Sequence, residues 1–166
     1  MMNEMTNTVV KKVRKGVWRM PRLTEAMKDV ISCAYLHDIG KIGIPDQILN
    51  KPGKLTQEEF NLIKQHTIIG QDIVKDITII PHLDEVTRSH HEHYDGSGYP
   101  DGLKGNEIPI QARIIAIVDS YDAMNSRRIY RNALSFEQIK EQIKKKSGTQ
   151  FDPEKTCRKR SKKTQS

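Results

Sequence analysis

The chain has 166 residues, 36% hydrophobic and 30% charged, which is enough for one domain with a real core. No apolar run approaches the roughly 20 residues that a bilayer-spanning helix needs, and the start lacks the apolar stretch of a signal peptide. The formal charge of +7 is concentrated at the ends: residues 1–22 hold six Lys/Arg and one Glu, and residues 155–166 hold six Lys/Arg and no acid. Residues 23–154 are therefore net acidic.

This division predicts three parts: a basic N-terminal segment (1–22), a domain (23–154), and a basic, almost entirely polar tail (155–166) expected to be disordered. Solvated tails are the simpler reading, and no DNA binding is expected from them. Cys33 and Cys157 form no metal-type pair. They read as free thiols in a reducing cytoplasm.

In chain order the periodicity is helical nearly everywhere. Met27, Val30, Ile31 and Ala34 fall at helical spacing and predict a buried face on a helix over about Thr24–Leu36. "TQEE" at 56–59 is a capping box opening a helix that carries Leu62, Ile63, Ile69 and Ile73. Another helix starts after Pro81, with Leu83 and Val86 apolar. Ile110, Ile114, Ile117, Val118 and Tyr121 make a long stripe after Pro109. Ser135 to Gln138 is a second capping box, opening a helix that ends near Gly148. "KIGIPD", "NKPGK" and "DGSGYPDGLKGNEIP" read as loops, and no alternating strand is evident. The fold class is all-α.

All six histidines lie between positions 37 and 93. His37 and Asp38 fall where a helix gives way to a Gly-containing loop, and an Asp at a helix C-terminus wants a cation. His66 and His90 follow apolar residues by three or four positions and so point inward, with His91 beside them. Asp119 lies at the core margin of the long helix, where a lone carboxylate is costly. Singly, each has an ordinary structural explanation. Together, four imidazoles and two carboxylates on the inward edges of four helices would leave several polar groups unpaired. A metal centre removes that difficulty. Mixed nitrogen and oxygen donors suit Fe, Mn or Zn. Six donors exceed one tetrahedral ion and fit two ions bridged by Asp38. Lys41, Arg128 and Arg131 near such a centre look like phosphate clamps.

"HDIGKIGIPD" (37–46), "LNKPGKLTQEE" (49–59), "IKQH" (63–66), "HHEHYDGSGYPDGLKG" (90–105), "IPIQARIIAIVDSYDAM" (108–124) and "FDP" (151–153) resemble the HD-GYP domain, a branch of the HD metal-dependent phosphohydrolases. The resemblance implies an HD-like helical bundle with a long GYP loop. It implies a bacterial phosphodiesterase that hydrolyses cyclic di-GMP to linear pGpG and on to GMP. Two divalent ions, Fe or Mn, would be held by His37, Asp38, His66, His90, His91 and Asp119. Lys41 and Asp38 are then the catalytic positions, and Lys41, Asp122, Arg128 and Arg131 the substrate-binding ones. His82 and His93 match no ligand position and are expected at the surface. The GYP loop is also implied as a docking surface for a diguanylate cyclase (GGDEF) domain.

Two departures stand out. Relatives carry a further metal-binding histidine upstream, and residues 1–22 contain none. "SRRIYR" at 126–131 replaces the usual S-D-R-P-Y-R. The alternative reading is therefore a module that binds cyclic di-GMP or a cyclase partner without turnover. An HD phosphohydrolase acting on other nucleotides is weaker, because plain HD domains lack the GYP segment.

Overall fold

The computed structural model describes residues 23–126 and 133–156. Arg128 and Arg131, Cys157 and both basic termini lie outside the described residues.

Eight α-helices are present among the described residues: α1 (Glu25–Leu36), α2 (Asp46–Leu49), α3 (Gln57–Lys64), α4 (His66–Val74), α5 (Leu83–Ser89), α6 (Ile110–Asn125), α7 (Phe136–Lys145) and α8 (Pro153–Thr156). A 3-10 turn at Ile39–Gly43 follows α1, and a second, Gly105–Glu107, precedes α6. The all-α expectation holds, since β pairing among these residues is limited to one isolated bridge, Ser147 to Phe151. No helix among them is long and apolar enough to cross a membrane.

The helix starts lie where the capping residues predict. Thr24 accepts from the Met27 amide at 3.3 Å. Thr56 with Glu59, and Ser135 with Gln138, form complete capping boxes. Each cap satisfies amides that a helix leaves open, at about 1 kcal/mol apiece.

The core gathers Cys33 and Leu36 of α1, Val74 of α4, Leu83 and Val86 of α5, Ile115 of α6, and Ile80 from the stretch before α5. The Cys33 thiol is fully buried, and burial first, then Asp29 and Asp84, pushes its pKa up to about 12. It is an inert core thiol at neutral pH. Beyond this core, Arg113 of α6 pairs with the buried Asp152 at 2.8 Å, which ties the "FDP" segment to the bundle.

Four sequence expectations change, wholly or in part. On α1, Val30 and Ala34 pack against the core as expected, but its fully buried apolar residues are Cys33 and Leu36, and Met27 is half exposed. On α6 the buried residues are Ala112 and Ile115, and Ile110, Val118 and Tyr121 are exposed. Ile114 and Ile117 of the same predicted stripe are half-buried; α6 is apolar on more than one side, so periodicity alone does not pick the face that meets the core. The helix predicted to run through Leu62 to Ile73 is interrupted at Gln65 and forms α3 and α4. "KIGIPD" is not loop but the first 3-10 turn leading into α2.

Candidate metal centre

Two glycines set the geometry. Asp38 leaves α1 and enters the 3-10 turn that contains Gly40. A Cβ at Gly40 would stand 1.9 Å from the His66 carbonyl oxygen and 2.4 Å from the Gly70 amide nitrogen. A Cβ at Gly70 would meet the Thr87 methyl at 2.6 Å. Only glycine at both positions lets the turn, α4 and α5 approach this closely. That approach brings Asp38, His66 and His90 to one place.

Three of the imidazoles are aimed by one repeated device. The Nδ1 atoms of His37, His66 and His90 lie 2.8, 2.7 and 2.9 Å from the carbonyls of Ala34, Ile63 and Thr87, each three residues back. A carbonyl only accepts, so each Nδ1 carries its proton and donates. The neutral ring then presents a bare Nε2, the arrangement that prepares an imidazole for a metal.

The Nε2 side of these rings converges on Asp38. One donor atom from each of Asp38, His66, His90 and His91 lies within 4.8 Å of the others. Asp38 Oδ1 is 3.4 Å from His66 Nε2 and 3.8 Å from His90 Nε2. Its other oxygen, Oδ2, is 3.4 Å from His37 Nε2 and is bonded by Lys41 Nζ. His37 Nε2 is in turn 3.9 Å from Asp119 Oδ1. The carboxylate thus joins a His66/His90/His91 half to a His37/Asp119 half.

The donor set fits a cation on three counts. His66 Nε2 and His90 Nε2 face each other at 3.2 Å, two lone pairs with nothing to share in the neutral rings. Two nitrogens on one ion, each at about 2.1 Å, stand roughly 3 Å apart at a right angle. His37 Nε2 and Asp38 Oδ1 are buried with no hydrogen bond, a costly state for groups that a metal would satisfy.

The electrostatics point the same way. Burial, above all, holds the His37 and His66 pKa values below the usual histidine range. It takes His91 down to about 2, with His90 and His66 adding to the effect. Burial alone would raise the Asp38 carboxyl, but His90, Lys41 and His37 around it hold it well below the carboxylate range. The result is neutral imidazoles beside an ionised carboxylate, the state that ligates.

The segment after His91 is pinned against this cluster. Tyr99 stacks on the His91 ring, with centroids 4.8 Å apart and planes 22° apart, and its amide donates to the His91 carbonyl at 3.2 Å. A Cβ at Gly98 would come within 2.2 Å of the His93 nitrogen, so glycine is required there too. Glu92, buried, accepts from the Asp101 and Gly102 amides at 2.7 and 3.1 Å. Arg88 of α5 forks onto both oxygens of Asp101 at 2.6 and 2.7 Å and reaches Gln71 of α4 at 2.9 Å.

Of the residues singled out from sequence, His37, Asp38, Lys41, His66, His90, His91 and Asp119 come together. Asp122 does not, being exposed on α6 beyond Asp119. His82 is exposed beside Glu85. His93 is half-buried and bonds the Ser97 hydroxyl at 2.9 Å in an exposed contact, outside the donor cluster. The sequence reading gave Tyr99, Arg88 and Glu92 no individual role. The available signal was an aromatic flanked by Gly and Pro in the loop directly after the paired histidines His90 and His91.

Comparison with known proteins places these features. A family described as the HD domain matches residues 2–154. A cyclic di-GMP phosphodiesterase of Thermotoga maritima is 47% identical over 82% of this chain and 40% of its own length. A 3'3'-cGAMP-specific phosphodiesterase of Vibrio cholerae is 41% identical over 79% of this chain and 26% of its own. The chain thus spans less than half the length of these relatives. In fold it is similar to a crystal structure of a cyclic GMP-AMP-specific phosphodiesterase from V. cholerae. That match has a TM-score of 0.58 and 18% identity, and covers 87% of this chain and 40% of the other. With the motifs, the donor cluster and these matches together, the chain belongs to the HD-domain family, in its HD-GYP branch.

Proposed function

We propose that this domain is a metal-dependent phosphodiesterase that hydrolyses cyclic di-GMP to linear pGpG and on to GMP. The observation that carries the reading is the convergence of Asp38, His66, His90 and His91 on one point, with His37 and Asp119 on the far side of the same carboxylate. The activity in the name of the 47% identical relative supports the substrate.

Two divalent ions, Fe or Mn, held by His37, Asp38, His66, His90, His91 and Asp119 would supply an activated water and Lewis-acid stabilisation. The chain's own residues do the rest. Asp38 offers one oxygen to each half of the site. The carbonyl-bound Nδ1 protons keep the rings from turning. Lys41, half exposed and bonded to Asp38, opposes the negative charge that builds on the phosphoryl oxygens. Tyr99 covers one face of His91 and keeps bulk water from it. We assign Asp122, Arg128 and Arg131 to the substrate's periphery. We further propose the GYP loop, Asp95 to Gly102, as a docking surface for a diguanylate cyclase (GGDEF) domain, the cytoplasm as the compartment, and residues 23–154 as the working unit.

Two observations favour other readings. The 41% identical relative is named for 3'3'-cGAMP, which makes the mixed dinucleotide the rival substrate. Residues 1–22 hold no histidine, which favours a module that binds without turnover. Anaerobic incubation with Mn or Fe(II) and each dinucleotide, with metal analysis of the same sample, separates them. Turnover of cyclic di-GMP supports the proposal, turnover of cGAMP alone transfers it to that substrate, and binding without turnover by a protein holding one ion or none supports the module.

A further inference from the structure

We infer that Lys64 binds the second, non-scissile phosphate of a cyclic dinucleotide. This rests on the phosphodiesterase reading above.

The inference starts from an imbalance of charge. Among the described residues, Lys28, Lys41, Lys51 and Lys64 are the lysines that are not fully exposed. Lys28 has Glu25, Lys41 has Asp38 and Lys51 has Glu59 within 4.0 Å. Lys64 has no carboxylate within that distance among the described residues. Its ammonium instead lies 4.8 Å from the centre of the Phe60 ring and 5.4 Å from that of Tyr99. The two rings meet edge to face at 6.3 Å. Aromatic faces attract a cation but do not neutralise it. An ammonium held by two rings and lacking a counter-charge is open to an anion.

Location says which anion. Tyr99, which touches Lys64 on one hand, is stacked on His91 on the other. The ammonium therefore stands one aromatic side chain away from the metal centre. A cyclic dinucleotide brings two phosphates held in one small ring. With one phosphate at the centre, the other must lie a short step away and needs its own cation. The ordinary alternative is that Lys64 serves the C-terminal dipole of α3. Against it, the Lys64 carbonyl is bonded by the Thr67 hydroxyl at 3.0 Å, and the ammonium reaches for the rings. The Phe60 and Tyr99 faces hold the long side chain in one place, so less freedom is lost when phosphate arrives.

Lys64→Met tests this, because the thioether chain keeps the apolar stem on the rings and removes only the charge. For cyclic di-GMP the expected result is a KM raised about tenfold with kcat little changed, as for one lost charged contact. The salt dependence of KM should also become shallower. Lys64→Arg should restore most of the KM. The loss should be confined to the substrate with two phosphates and be absent from bis(p-nitrophenyl) phosphate, which has one. An unchanged KM for cyclic di-GMP, or an equal loss on both substrates with bound metal falling, would overturn the assignment. Wild-type protein that cleaves the nitrophenyl diester yet neither binds nor cleaves cyclic di-GMP would overturn the substrate reading itself, independently of any Lys64 variant.

Discussion

At the scale of single residues the account turns on Asp38. Its two oxygens face different partners, so its loss should damage both halves of the centre. Asp38→Asn keeps the shape and removes the charge. It should lower turnover at least 100-fold and leave one ion or none bound, as read by metal analysis beside steady-state kinetics. The buried imidazoles also make a pH prediction for the metal-free protein. His37, His66 and His91 have folded pKa values pushed below the unfolded value, chiefly by burial. The unfolded chain therefore binds more protons below about pH 6.5. Their contribution to stability is complete above that pH and fades as pH falls through it. Asp38 is shifted down as well, so its contribution is lost only below the ordinary carboxylate range. Melts in chelator should show a falling Tm from pH 7 to pH 5. A flat Tm across that interval would mean the rings are less buried than described.

At the scale of elements, close approach between backbones matters more than side-chain contact. The 3-10 turn reaches α4 only because Gly40 and Gly70 lack a Cβ. Gly40→Ala would put a methyl 1.9 Å from a carbonyl oxygen, so the turn must withdraw and carry Asp38 with it. The expected outcome is a cost of about 2 kcal/mol or more in chemical denaturation, accompanied by weaker metal binding. The GYP segment is held differently, by the Arg88 fork, Gln71 and the Glu92 anchor. The fork is about one-third exposed, so Arg88→Gln should cost only about 1 kcal/mol or less in stability. Its larger effect should be on KM, through a looser Tyr99, and a KM equal to wild type would show that the fork does not position the segment. Much at this scale was legible beforehand. Thr24, Thr56 and Ser135 mark helix starts because a capping side chain acts locally on its own backbone. Which apolar stripe of α6 meets the core was not legible, because Ile110, Val118 and Tyr121 satisfy the helical period as well as Ala112 and Ile115 do. The break at Gln65 left no local signal, since neither Gly nor Pro stands there.

At the scale of the whole molecule, the clustered donor residues were readable in sequence and their supports were not. Imidazoles and carboxylates on apolar faces carry their chemistry with them, and the HD and HHE-GYP motifs fixed their order. The roles of Lys64, Tyr99, Arg88 and Glu92 arise only when α3, α5 and the segment after His91 are folded together. None of these four is unusual in its local setting. Because the proposed ligands lie just past α1, in α4, just past α5 and in α6, bound ions would tie most of the bundle together. Saturating Mn should then raise the Tm of the protein, with stabilisation growing as the logarithm of free metal. The most direct test of the central claim is metal stoichiometry by equilibrium dialysis under anaerobic conditions, with cyclic di-GMP hydrolysis followed in the same sample. The account predicts two ions per wild-type chain with turnover, and one or none in Asp38→Ala without it. Wild-type protein that retains no ion, or an Asp38→Ala protein that holds two and turns over at the wild-type rate, would contradict it.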